Sequence, residues 1–231
     1  MDVSQLEQEL ACGDDHNAHF RDLVAKLKTA TIKPMNKLRL AILYALRYET
    51  NSSVQIKVVK DLLATAAGLS ADRIALVDFF LKYGGANVRS GDLYGDRGLK
   101  KFMRAMTQGV QGVPNVYAQH VPPLIKYLES ILKGQLLDSD FGIVNGNASP
   151  GIKKVRDVVV FICGGVTYEE AMKVAELNQR VAISGQRVVL GGTSIHNSTS
   201  FLNEVAEAYG VGVDGRNSGA GGSWNYETKK L

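Results

Sequence analysis

Residues 158–178, VVVFICGGVTYEEAMKVAELN, and residues 188–205, VVLGGTSIHNSTSFLNEV, each read as a strand, a Gly-Gly turn and a capped helix. The run Val158 to Ile162 is too short for a helix and too uniformly apolar for a half-exposed strand, so it predicts a buried central parallel strand. Val188 to Leu190 begins about 30 residues later, the interval that a strand, a crossover helix and a parallel strand require. The segment is therefore expected to be a βαβ unit followed by one further helix.

Glycines at such a turn can let helix N-terminal N–H groups approach a phosphate. The surrounding residues oppose that use. Gly164-Gly165 is not part of G-x-G-x-x-G, no G-K-[ST] follows, and Leu190-Gly191 stand where a ribose-binding acid would end the second strand. Glu169 and Glu170 would repel a phosphate from the first helical turn. Thr167 and Glu170 instead have capping-box spacing, and Asn197 or Ser198 can cap the next helix. The reading preferred here gives Gly164, Gly165, Gly191 and Gly192 to tight turns and close strand–helix packing, and Thr167, Glu170 and Asn197 to capping.

The same two Gly-Gly units resemble those of the SM (Sec/Munc, syntaxin-binding) family, which regulates SNARE-mediated vesicle fusion. LEQELACGDDH at 6–16, PMNKLRLAILYALRYE at 34–49 and VPNVYAQHVPPLIKYLESILKGQL at 113–136 resemble it in the same order, as far as about residue 209. The likeness is greatest to the branch of endosomal traffic. It implies a non-enzymatic regulator without cofactor, cytoplasmic and peripheral on endosomal and Golgi membranes. Its partners would be a syntaxin-type SNARE and the assembled SNARE complex. Family members are much longer, so the resemblance also implies that an N-terminal domain and a helical hairpin are missing. The chain would then match the later part of the third domain (1–137), a linker (138–153) and the returning half of the second domain (154–209). The parallel sheet would be completed by earlier strands. The fold class expected is α/β, a mainly helical N-terminal part followed by an incomplete parallel βαβα unit.

Composition is compatible with this. With 231 residues, 45% hydrophobic and 22% charged, the chain can bury one sizeable core or two small ones. A net charge of +4 with only short basic groups, such as Lys100, Lys101 and Arg104, argues against a nucleic-acid partner. Two cysteines, Cys12 and Cys163, make no disulfide or zinc pattern, and Cys163 is expected to be a buried, inert thiol. No apolar run approaches the roughly 20 residues of a membrane helix, so membrane association is expected only through a partner.

The first 135 or so residues read as helices. Pro34 suits a first turn, and Leu38, Ile42, Ala45 and Leu46 form one buried face with Lys37 and Arg47 off it. Ser53 is expected to cap a helix carrying Ile56, Val59 and Leu63 and ended by Gly68; Ser70 to Tyr83 gives the next. Residues 85–96 read as a loop, Leu99 to Met106 as a helix, Pro122-Pro123 as the start of another through Leu132, and residues from Gly210 onward as a disordered tail. Cys12, Asp14, Asp15, His16 and His19 crowd together, but their carboxylates can cap a helix beginning near Ala18, which is preferred to a metal site. His196 beside Asn197 and Ser198 suggests hydrolase vocabulary without a G-x-S-x-G elbow, so capping is preferred there too. The alternative function is a small-molecule or nucleotide-binding α/β enzyme using the Gly-Gly turns. The isolated chain is expected to be poorly soluble or partly molten unless an N-terminal half is supplied in trans, because an incomplete sheet leaves open edges and an uncovered face.

Overall fold

The computed structural model describes residues 2–88, 120–136, 141–142, 144 and 155–211. The expected loop from residue 89 on, the helix carrying Phe102, Met103 and Met106, most of the 138–153 linker and the tail beyond Val211 lie outside the described residues.

Five helices open the chain: α1 (Val3–Cys12), α2 (His16–Lys28), α3 (Pro34–Tyr48), α4 (Ile56–Thr65) and α5 (Ala71–Gly84). Asp2 and Asp15 cap the first two, accepting from the N–H groups of Gln5 and Ala18 at 2.8 and 3.0 Å. The Asp15 cap starts α2 at His16, two residues earlier than expected. Pro34 occupies the first turn of α3, where its missing N–H costs nothing. Ser70 caps α5 through the Arg73 N–H.

Two expectations for this region are corrected. Lys37 is not off the apolar face: it is 2% exposed, and its Nζ donates to the Ala66 carbonyl at the end of α4. A lysine stem can lie along apolar neighbours while its ammonium meets the negative end of a helix. Ser53 does not cap α4. Its N–H donates to Asn51 Oδ1 in an Asx turn, and α4 starts after Gln55, whose N–H donates to the Tyr44 hydroxyl at 3.1 Å.

Helix α6 (Pro123–Leu132) leads to the strands β1 (Asp157–Ile162), β2 (Val166–Thr167), β3 (Arg187–Gly192) and β4 (Ile195–His196). Helix α7 (Tyr168–Val181) crosses between β2 and β3, and α8 (Ser198–Ala208) follows β4. Strands β1 and β3 pair in parallel from Asp157 opposite Arg187 to Ile162 opposite Gly192, as the spacing of the two apolar runs requires. β2 and β4 form a second, short parallel pair. The fold is α/β, mainly helical first and βαβ later.

Packing distributes these elements over two cores. The first joins α1–α5 and includes Leu202, Val205 and Ala206 of α8, followed by Val211. The second joins Ile125, Leu128 and Leu132 of α6 to Val174 and Leu177 of α7 and to Val158 and Val188 of the sheet. Helix α6 thus covers the sheet, while α8 leaves it to finish the helical core. Gly210 takes a left-handed φ of 70° and turns Val211 back, so the chain stays packed one residue past the expected start of the tail.

The expected two-sided burial of β1 is also corrected. Val158 is buried and Val160 half-buried, but Val159 is 77% and Phe161 63% exposed. α6 and α7 lie against one face, and among the described residues no element covers the other. Cys163 is exposed rather than buried, because it lies beyond the end of β1 at the glycine turn.

Candidate functional site

The C-terminal ends of β1 and β3, where the two Gly-Gly units lie, are the place where an open parallel sheet offers a ligand crevice. Their backbone groups are already committed within the chain. Gly164 N–H donates to Thr193 Oγ1 at 3.0 Å, Gly165 N–H to the Ile162 carbonyl and Val166 N–H to the Ser194 carbonyl. At the start of α7, Thr167 Oγ1 accepts from Glu170 N–H while Glu170 Oε2 accepts from Thr167 N–H. At the start of α8, Asn197 Oδ1 accepts from the N–H groups of Thr199 and Ser200, and Ser200 Oγ accepts from Asn197 N–H. A phosphate would find these donors occupied. Gly191 and Gly192 close β3, opposite Phe161 and Ile162, and a side-chain carbon on Gly192 would meet Val166 Cγ2 at 2.7 Å.

Gly165 is surrounded by its own chain. A carbon added there would meet the His196 ring and Ser194 Oγ at 2.5 Å, and its φ of 102° is one that side chains rarely adopt. His196 is buried behind it. Its Nε2 lies 2.9 Å from Ser194 Oγ, 2.8 Å from Glu204 Oε2 and 3.1 Å from the Gly164 carbonyl, and its Nδ1 lies 3.2 Å from Ser200 Oγ. A nucleophilic triad places hydroxyl and carboxylate on opposite ring nitrogens. Here Ser194 and Glu204 both meet Nε2, and the hydroxyl on Nδ1, Ser200, is held in the α8 cap, accepting from the Asn197 N–H and donating to the Asn197 carbonyl, so the imidazole braces the glycine turn against α8. The cap itself is Asn197, the next residue. Ser194, Ser200 and Glu204 were not singled out from the sequence, although Ser200 stands three residues after Asn197, at the position of a capping-box partner.

The other candidates disperse. Asp15 caps α2, His16 Nε2 meets the Tyr44 hydroxyl at 2.9 Å, and His19 Nδ1 meets the Tyr48 hydroxyl at 2.6 Å. Burial pushes the Cys12 thiol up. Among the described residues, no group of three or more His, Cys, Asp or Glu is placed to hold a metal ion. An open cleft of about 500 Å³ between α6 and α7 has its polar groups paired: Arg180 with Glu129 at 3.0 Å, and Gln186 Nε2 with the carbonyls of Leu132 and Val155. What remains accessible is a surface. Val159, Phe161 and Val189 line the open face of the sheet, with Tyr168 and Met172 exposed on α7. No helix among the described residues is long and apolar enough to cross a membrane.

A family model described as the Sec1 family matches residues 1–204. The chain belongs to the Sec1 family. Similar relatives agree: the vacuolar protein sorting-associated protein 45 homolog of Arabidopsis thaliana is 40% identical over 215 residues, 93% of this chain and 37% of that protein. The Mus musculus vacuolar protein sorting-associated protein 45 is 37% identical over 206 residues, 89% and 35% of the two chains. A solved complex of the SM protein Vps45 with the Qa SNARE Tlg2 superposes with a TM-score of 0.75 at 38% identity, over 89% of this chain and 36% of that one. The Unc18–syntaxin 1 complex of Monosiga brevicollis, at 18% identity and TM-score 0.63 over 88% of this chain and 35% of that one, shares the fold. This Sec1-family chain spans little more than a third of the length of the curated relatives it matches.

Proposed function

We propose that this chain is part of a SNARE-binding regulator of vesicle docking and fusion in endosomal, Golgi and vacuolar protein transport. The observation that carries the reading is its likeness, at 38% identity and a TM-score of 0.75, to a Vps45 solved with the Qa SNARE Tlg2. The partner is a syntaxin-type SNARE, alone and in the assembled fusion complex, bound through the full-length protein. The chain acts as scaffold, with residues 1–137 supplying the helical part and 154–209 the βαβα segment, joined through 138–153. In this reading Gly164, Gly165, Gly191 and Gly192 hold turns, and Thr167, Glu170 and Asn197 hold helix starts. Recognition rests on surface shape and helix-in-groove complementarity, with neither nucleotide nor metal. The protein works in the cytoplasm, peripheral on endosomal and Golgi membranes through its partner.

The test is immunoprecipitation of the native protein with an antibody raised against residues 1–231, followed by sizing and identification of what is bound. A band far above 25.0 kDa with a syntaxin-type SNARE attached supports the proposal. A band of that mass without any SNARE overturns it, and saturable nucleotide binding by calorimetry would put an enzyme in its place.

A further inference from the structure

Strand β3 finds a neighbour in a side chain. Toward β1, the Arg187 N–H donates to the Arg156 carbonyl at 2.7 Å and the Thr193 N–H to the Ile162 carbonyl at 3.2 Å. Backbone groups alternate sides along a parallel strand, so those of Val188 and Leu190 point to the outer edge, away from β1. At Val188 they meet the amide of Asn178 on α7: the Val188 N–H donates to Oδ1 and Nδ2 donates to the Val188 carbonyl, each at 2.8 Å. A backbone N–H only donates and a carbonyl only accepts, so both directions are fixed. Gln186, two residues earlier on the same edge, donates its N–H to the Val181 carbonyl at the end of α7, at 3.4 Å. The first half of the outer edge is thereby bonded much as a further strand would bond it, and Val188, which is buried, has both backbone groups satisfied.

The side chains of the two strands do little to hold their register. Within VVVFI at 158–162 and VVL at 188–190 apolar residues follow one another, so a slip by one residue exchanges one apolar set for another. Asp157 and Arg187 do mark a solvent face, but their ion pair at 3.0 Å leaves both side chains more than half exposed, and such pairs are weak tethers. A slip of β3 by one residue would also turn the Val188 backbone toward β1 and away from Asn178. We propose that Asn178 is an edge guard: its amide takes the place of a neighbouring strand at Val188, which holds β3 in register against α7 and denies its outer edge to an incoming strand. Such a strand could bond Val188 only by displacing an amide that already makes both bonds and fills the space beside it. Leu190, the next outward position, is denied with it, because a strand bonded there runs past Val188.

The experiment is amide hydrogen exchange on the 231-residue chain at two protein concentrations about tenfold apart, in the wild type, Asn178→Ala and Thr167→Ala. In Asn178→Ala, exchange at Val188 should quicken by about tenfold or more at the lower concentration, while Val189, whose N–H faces β1, changes little. At the higher concentration Val188 and Leu190 should regain protection together, by about threefold or more, as a strand of another copy adds there. The wild type and Thr167→Ala, which loosens the other end of α7, should show no such dependence at Leu190. If Leu190 of the wild type gains protection with concentration, the edge is open with Asn178 in place and the guard is overturned. It is also overturned if Asn178→Ala gains none, which would leave the amide a tether alone, or if Thr167→Ala gains as much, which would make loosening of α7 the cause. If Asn178→Ala does not fold, Asn178→Ser serves: one hydroxyl cannot meet both Val188 groups, so the same quickening and the same concentration dependence are expected.

Discussion

Gly164 and Gly165 have nearly the same φ, 101° and 102°, and differ in their surroundings. Alanine at Gly164 would meet nothing within 4 Å, so its cost is backbone strain alone, about 1–3 kcal/mol. Alanine at Gly165 adds a collision with Ser194 and His196 and should lose a further 1–3 kcal/mol or so as those groups are displaced. Denaturant midpoints of the two variants measure the difference; equal losses would mean that the His196 brace yields freely. Lys37→Met should cost only about 0.5–1.5 kcal/mol, since Met keeps the apolar stem and loses the bond to the Ala66 carbonyl. Lys37→Ala should cost distinctly more by the same measurement, because it also empties buried space. Neither environment was legible in the residues. Two adjacent glycines announce a turn but not which one carries a histidine against it, and a helical wheel sorts lysine by charge although its stem packs like an aliphatic chain.

At the scale of elements, the capping signals were the most legible part of the sequence, because a cap is a local contract between residues three apart. Thr167 and Asn197 stand where helices α7 and α8 begin. The start of α4 was misplaced because its first free N–H is taken by Tyr44, from another helix. A periodic stripe likewise names a buried face and leaves its partner unnamed, which is why α6 goes to the sheet and α8 to the helical core. Thr167→Ala and Asn197→Ala should each cost about 0.5–2 kcal/mol. Because α7 and α8 belong to different cores, hydrogen exchange should place the first loss in the sheet and the second among α5 and α8. Losses that spread evenly over both cores would mean that the two modules unfold as one.

For the whole molecule, the apolar run 158–162 signals a strand covered on both faces, whereas the described residues cover only one. That mismatch is legible in the sequence as composition and becomes physical in the fold as a patch of Val159, Phe161 and Val189, exposed by 77, 63 and 45%. Two parallel strands whose outer edges pair with no other strand among the described residues, together with such a face, are a template for association. The isolated chain should therefore self-associate at concentrations where a closed domain of 25.0 kDa stays monomeric. Val159→Thr combined with Phe161→Thr should shift the population toward monomer in sedimentation velocity while changing stability by less than about 0.5 kcal/mol per site, because these side chains already face water. Threonine keeps the strand propensity, so loss of pairing would not explain the result. If the double variant associates as strongly as the wild type, the open face is not the sticky one, and the strand edges become the surfaces to block. If it stays monomeric yet melts several degrees lower, the two side chains are buried within the chain after all, and the one-sided sheet is wrong.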